Sequence, residues 1–131
     1  MSSEVDRVYR LYNNAENAHD VDATRRLVDD ALEVTINGIL QLASGKADGQ
    51  ANSDLFEAYP DYSREVLEVV VSGDRGTVRW RMVGTPAVGT NRPPLDLHGC
   101  SIVTVREGRI TQAHLYADTT ILATILPGRS S

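Results

Sequence analysis

Apolar positions recur with a helical period at the start of the chain and with a period of two after residue 60. Val5, Val8, Tyr9, Tyr12 and Ala15 fall on one face of a helix predicted over 4–18. His19-Asp20 interrupts it, and Asp20 is a good N-cap for a second helix over 21–29. The β-branched stretch 31–37 reads as a strand ended by Asn37-Gly38. Residues 38–50 carry Gly and Ser with little periodicity and read as a mobile loop. A third short helix, 52–59, is stopped by Pro60. Strands follow at 65–71 and 77–84, joined by a turn over 72–76. In the second of these, Val78, Trp80 and Met82 share one face, and Arg79 and Arg81 the other. A Pro-broken loop, 85–94, leads into two alternating runs over 95–118. Residues 119–126 either extend the last strand or form a short helix before Pro127. Helices first, then antiparallel strands, predict an α+β domain with helices on one face of a curved sheet.

The run 95–118 carries the candidate chemistry. Asp96, His98 and Cys100 alternate along its first half, and His114, Tyr116 and Asp118 along its second. Residues two apart in a strand point the same way, so each half presents a row of titratable groups. The turn decides whether the rows share a side. A three-residue loop with Gly108 as a left-handed bulge pairs even residues with even. It sets Asp96 opposite Asp118, His98 opposite Tyr116 and Cys100 opposite His114. A two-residue turn puts the rows on opposite faces. The bulge is the preferred reading, because it leaves Leu95, Leu97, Val103, Val105, Ala113, Leu115 and Ala117 together on a face too apolar for solvent. That face is the expected surface of a homodimer, two sheets meeting back to back.

Composition narrows the function classes. The chain has 131 residues, which predicts one domain over 1–131 with a real core. A net charge of −5, with no basic patch, argues against a nucleic-acid partner. The single cysteine, Cys100, excludes an internal disulfide and reads as a small buried hydrophobe in a reducing compartment. No apolar run is long enough to span a membrane and the N-terminus lacks a signal core, so a cytoplasmic protein is expected. The histidines lack HxH or HExxH spacing, so no metal site is expected. Walker, dinucleotide and GxSxG patterns are missing as well.

Four stretches carry a family resemblance: NAHDVDATRRLVDD (17–30), YPDYS (59–63), GDRGTVRWRMVGT (73–85) and REGRITQAHLYAD (106–118). In order and spacing the chain resembles the SnoaL-like polyketide cyclases of the NTF2-like (ketosteroid-isomerase-like) superfamily, over roughly residues 5–126. The resemblance implies an α+β, cone-shaped barrel with N-terminal helices on a curved mixed or antiparallel sheet. It further implies an apolar pocket, a homodimer and no cofactor. In the cyclases the Asp matching Asp118 is the acid/base of an intramolecular aldol closure. Two departures stand out: His114 replaces a Trp found in many relatives, and the loop after Gly84-Thr85 is short. Asn37 falls near the base position of ketosteroid isomerase, and Asn cannot serve as a carboxylate base.

On this reading Asp118 is the catalytic acid/base, its alternative role being a strand-end cap for Thr119 and Thr120. His98 and His114 are candidates to polarise or reprotonate an enolate. Trp80 and Met82 read as a wall for a ring-shaped, hydrophobic ligand, with Tyr116, Tyr12 and Asn37 as further substrate-binding candidates. Tyr9 and Tyr12 could donate into the pocket but as amphipathic-helix aromatics are more often core, and Asp96 reads as an exposed residue. The expected function is a cofactor-free cyclase or isomerase acting on a carbonyl compound. An epoxide-opening hydrolase, an ether-ring-forming cyclase and a non-catalytic binding protein are the alternatives.

Overall fold

The structure, a computed structural model, describes residues 3–118, which fold into three helices laid on one face of an open six-stranded sheet. In chain order the elements are α1 (Glu4–Asn17), α2 (Val21–Arg26), β1 (Val28–Ile36), β2 (Ile39–Leu42), α3 (Gly45–Ala58), β3 (Ser63–Ser72), β4 (Arg75–Gly84), β5 (Leu95–Arg106) and β6 (Arg109–Ala117). The strands lie side by side in the order β2-β1-β6-β5-β4-β3. All neighbours are antiparallel except β1 and β6, which run parallel, so the sheet is mixed. Its edges, β2 and β3, do not meet. The α+β class, the helices-on-sheet layering and the mixed sheet are as the sequence predicts, and among the described residues the sheet is open.

Local chemistry sets the helix ends. Ser3, Asp20 and Ser44 cap α1, α2 and α3, each side chain accepting from a backbone N–H three residues on. His19, the break foreseen between the first two helices, sits in the left-handed region at φ 55°. Its ring bonds the Tyr62 carbonyl at 2.8 Å and stacks on Phe56 with centroids 4.2 Å apart. Asn37 and Gly38 both have positive φ, which makes the two-residue turn joining β1 to β2.

Three expectations are corrected. Stretch 38–50 is not a loop: it forms β2 and the first half of α3. The buried face of α3 is Gly45, Asp48, Gly49, Ala51, Asn52, Leu55 and Ala58, mostly small or polar, so apolar periodicity does not reveal it. The helix over 21–29 ends at Arg26, and β1 begins at Val28.

The third correction concerns the β5–β6 hairpin. Glu107 and Gly108 both have positive φ, at 53° and 76°, and Arg106 pairs with Arg109. This is a two-residue turn of the type that matches strand twist. An irregularity follows at once, since Thr104 pairs with Gln112 but Val105 with Ile110, leaving Thr111 extra. Even residues therefore do pair with even, but slipped: Cys100 lies opposite Tyr116 and Ile102 opposite His114. The polar rows share a side, and it is the side away from the helices, where His98 and Tyr116 are exposed. The apolar row, including Leu97, Val103, Val105 and Leu115, packs into the core under the helices. It is therefore not available as a dimer face. The stretch 119–126, expected to extend the last strand or form a short helix, lies outside the described residues.

Close packing at one glycine ties the sheet together. Trp80 is fully buried, donates from Nε1 to Ser101 Oγ at 2.9 Å, and lies over Gly99. A Cβ at Gly99 would stand 2.5 Å from the Trp80 ring and 2.9 Å from Ala117 Cβ. Gly99→Ala is expected to lower stability by about 2 kcal/mol through overpacking, read from the midpoint of urea unfolding. An unchanged midpoint would mean that the indole moves aside freely.

Candidate functional site

The helices and the inner face of the sheet enclose a cavity of about 110 Å³. Its walls are mostly apolar: Val28, Leu32, Val34 and Ile36 of β1, Met82 of β4, Val103 of β5, Ala113 and Leu115 of β6, and Leu55 of α3. Strand alternation sends these side chains inward. A volume near that of an apolar cavity of ~150 Å³ that holds one benzene sets the scale of an enclosed ligand at about one ring.

Into this apolar wall α1 and α3 project polar groups. Spacing places them: Tyr9, Tyr12 and Glu16 recur at helical intervals on the buried face of α1, as Asp48, Asn52 and Leu55 do on α3. The Tyr12 hydroxyl donates to Asp48 Oδ2 at 2.8 Å and accepts from Asn52 Nδ2 at 3.0 Å. Burial pushes the Asp48 carboxyl up to about 6, against the lowering effect of its Tyr12 hydrogen bond. Burial likewise lifts the Tyr12 hydroxyl well above its ordinary value, reinforced by the nearby Asp48 charge, so it stays a protonated donor.

A second polar group closes the cavity toward β3. Arg64, 6% exposed, bonds Asn13 Oδ1 through Nε at 2.9 Å and brings Nη2 within 3.2 Å of Glu16 Oε1. The Tyr62 hydroxyl donates to the same Glu16 oxygen at 2.7 Å. The guanidinium lies over the ring of Tyr9, 5.4 Å from its centroid. Asn13 and Asn17 both donate to the Arg64 carbonyl, fixing the strand to the helix.

The sequence-predicted site residues are dispersed. Tyr12 and Met82 line the cavity. Trp80 is core, turned against Gly99 and Ser101, and is not among the lining residues. His98, His114 and Tyr116 stand on the outer face of the sheet, where His114 Nδ1 lies 2.7 Å from Thr35 Oγ1. Asn37 is a clamp at the end of β1: its amide donates to the Ala117 carbonyl at 2.8 Å and its carbonyl oxygen accepts from the Ala117 N–H at 3.2 Å. Asp118 follows β6 in an exposed position and is not among the lining residues. Asp96 is bound by Arg81 through both carboxylate oxygens, at 2.8 and 2.9 Å, and that contact lowers its pKa. Sequence reasoning passed over Glu16, Asp48, Asn52 and Arg64. The signal was there for Glu16, which extends the Val5-Val8-Tyr9-Tyr12 stripe by one more turn. Among the described residues, no group of three or more His, Cys, Asp or Glu side chains is placed to hold a metal ion. Among the described residues, no helix is long and apolar enough to cross a membrane.

An open α+β sheet roofed by helices over an apolar cavity with buried acid and hydroxyl groups defines a class of small-molecule pocket scaffolds. Residues 8–113 match the model of the SnoaL-like domain, and the chain belongs to that family. Solved structures share its NTF2-like fold. An NTF2-like protein from Cytophaga hutchinsonii superposes with a TM-score of 0.72 at 11% identity, over 93% of this chain and 96% of its own. A provisionally named SnoaL-like polyketide cyclase from Jannaschia sp. CCS1 gives 0.72 at 20% identity, over 95% and 92%. An LEH-like epoxide hydrolase from M. tuberculosis gives 0.76 at 16% identity, over 94% and 89%. Comparison with curated proteins finds no match.

The raised pKa of Asp48 has a consequence for stability. In the unfolded chain the group titrates near 3.8 and in the folded protein near 6, so the native state holds its proton more tightly. The resulting stabilisation is full below about pH 4 and lost as pH rises through 6, a span of about 3 kcal/mol. Asp48→Asn is expected to remove this part of the pH dependence, so that the variant gains on the wild type between pH 4 and 7. Thermal unfolding across that window checks it, and a difference independent of pH would contradict it.

Proposed function

We propose that the protein is a cofactor-free acid–base enzyme acting on a small, hydrophobic, ring-containing carbonyl compound, with Asp48 carrying the proton. The observation behind this is a carboxyl buried in an apolar cavity, held by a hydroxyl, with its pKa moved to about 6. Near neutral pH such a group is ionised yet poorly solvated, which suits proton abstraction beside a carbonyl. In the step, Asp48 takes a proton from the carbon next to the carbonyl, the electron pair moves onto the carbonyl oxygen, and the proton returns to carbon. Ring closure or double-bond migration follows if the enolate meets a second electrophilic carbon or an extended conjugated system. The provisional cyclase name of the Jannaschia structure is consistent with this class of chemistry.

Two other readings remain within the proposal. The resemblance assigns the acid/base to Asp118; the residues read as its helpers, His98 and His114, stand on the outer face. The epoxide hydrolase neighbour raises ring opening instead, for which Asp48 and Glu16 provide two carboxyl groups on one cavity. The homodimer implied by the family would use the outer sheet face, where Val70 and Tyr116 are exposed.

Exchange of the α-protons of cyclohexanone in D2O, followed by NMR, tests the assignment. The wild type is expected to speed exchange, with a rate that rises with pH through about 6 as Asp48 ionises. Asp48→Asn is expected to lose about 10²-fold or more, while Asp118→Asn retains the wild-type rate. Full activity in the Asp48 variant sinks the proposal. Loss in the Asp118 variant alone transfers the role to Asp118.

A further inference from the structure

Two buried polar atoms that face the cavity make no hydrogen bond. Among the described residues, Tyr9 Oη and Arg64 Nη2 are the buried side-chain polar atoms without a hydrogen-bond partner. Both side chains line the cavity and are under a tenth exposed. The approach of Arg64 Nη2 to Glu16 is an ion pair whose geometry does not make a hydrogen bond, and the Tyr62 hydroxyl already binds that Glu16 oxygen. Ser101, beside Tyr9, has its oxygen accepting from Trp80 and its hydroxyl placed to donate toward Tyr9 Oη, which leaves the Tyr9 proton without an acceptor. Protein interiors rarely leave such donors unmade, because an unmade buried hydrogen bond costs stability.

We propose that Tyr9 Oη and Arg64 Nη2 form an oxygen-binding subsite that takes the carbonyl oxygen of an uncharged, single-ring ketone. The subsite rests on the cavity being the substrate site, as proposed above. Chemistry selects the ligand class. Arginine has no acceptor, and burial keeps the Tyr9 hydroxyl protonated, so both offer protons only. A carbonyl oxygen has two lone pairs and accepts from both. A carboxylate is disfavoured, since Glu16 already balances Arg64 and Asp48 lines the same cavity. Geometry fits the proposed reaction as well. Tyr12, which holds Asp48, lies one helical turn beyond Tyr9, a rise of about 5 Å. A ketone seated on Tyr9 and Arg64 thus brings its α-carbon toward Asp48. The same donors gain strength as charge develops on the oxygen, because they are preorganised in a water-poor site.

Binding of cyclohexanone and of methylenecyclohexane, the same shape without the acceptor, separates the possibilities. Tyr9→Phe keeps the ring and removes only the hydroxyl, so the variant is expected to fold, with melting as the check. In that variant cyclohexanone is expected to bind about tenfold more weakly, while methylenecyclohexane stays within about twofold. The infrared C=O band of bound ¹³C-labelled cyclohexanone is expected to sit at lower frequency in the wild type than in the variant. Equal ketone affinity in the two proteins, or an unshifted band, overturns the subsite. If methylenecyclohexane binds but cyclohexanone does not, the subsite falls and the cavity reading stands. If neither binds the wild type, both fall.

Discussion

Arg64 is a full charge in the interior, and the arrangement of α1 follows from the need to satisfy it. An unpaired buried guanidinium costs several kcal/mol, so the fold must bring it an acid, an amide and aromatic faces. One stripe of α1 supplies Glu16, Asn13, Tyr9 and Tyr12, and Asn17 joins Asn13 in holding the backbone of β3. These contacts are directional, unlike apolar packing, and they fix both the rotation of the helix and its position along the strand. Asp48 and Asn52 then reach Tyr12 from α3 because Tyr12 is already placed. The polar end of the cavity is thus built outward from one arginine.

How far the sequence foretold this depends on the kind of signal. Apolar periodicity found α1, every described strand but β2, and the hairpin, because burial of Val, Leu and Tyr leaves a regular trace. The cavity carboxylate was missed for the same physical reason. Asp48 lies on a helix face made of Gly, Ala, Asp and Asn, which carries no apolar period, and the stretch reads as a loop. The hairpin taught a finer lesson. A two-residue turn followed by a bulge at Thr111 preserves the even-to-even parity of a three-residue loop, so the rows were grouped correctly while their alignment slipped. Parity does not say which row faces the helices. The larger apolar area does, and it sent Val103, Ala113 and Leu115 inward, leaving His98 and Tyr116 outside.

The stretches that carry the family likeness mostly perform structural work. His19 and Asp20 make the turn and cap between α1 and α2. In YPDYS, Tyr59 bonds the Pro93 carbonyl, Asp61 accepts from the Thr85 N–H, and Tyr62 reaches Glu16. They hold loop 85–94 and α1 against the sheet. Likeness in such positions therefore speaks for the scaffold, and fold alone does not fix the reaction.

The parallel pairing of β1 with β6 has a kinetic side. Val34 sits beside Ala113 and Ile36 beside Leu115, so strands from the two ends of the described chain meet in the middle of the sheet. Such long-range pairing must overcome the entropy of closing a very large loop before it yields any contact, which slows folding. Until β6 arrives, the apolar edge of β1 is uncovered on a nascent chain and open to association with other molecules. Of the described strands β6 leaves the ribosome last and completes the pocket wall, so the interval before it docks is when the nascent chain is most exposed to association.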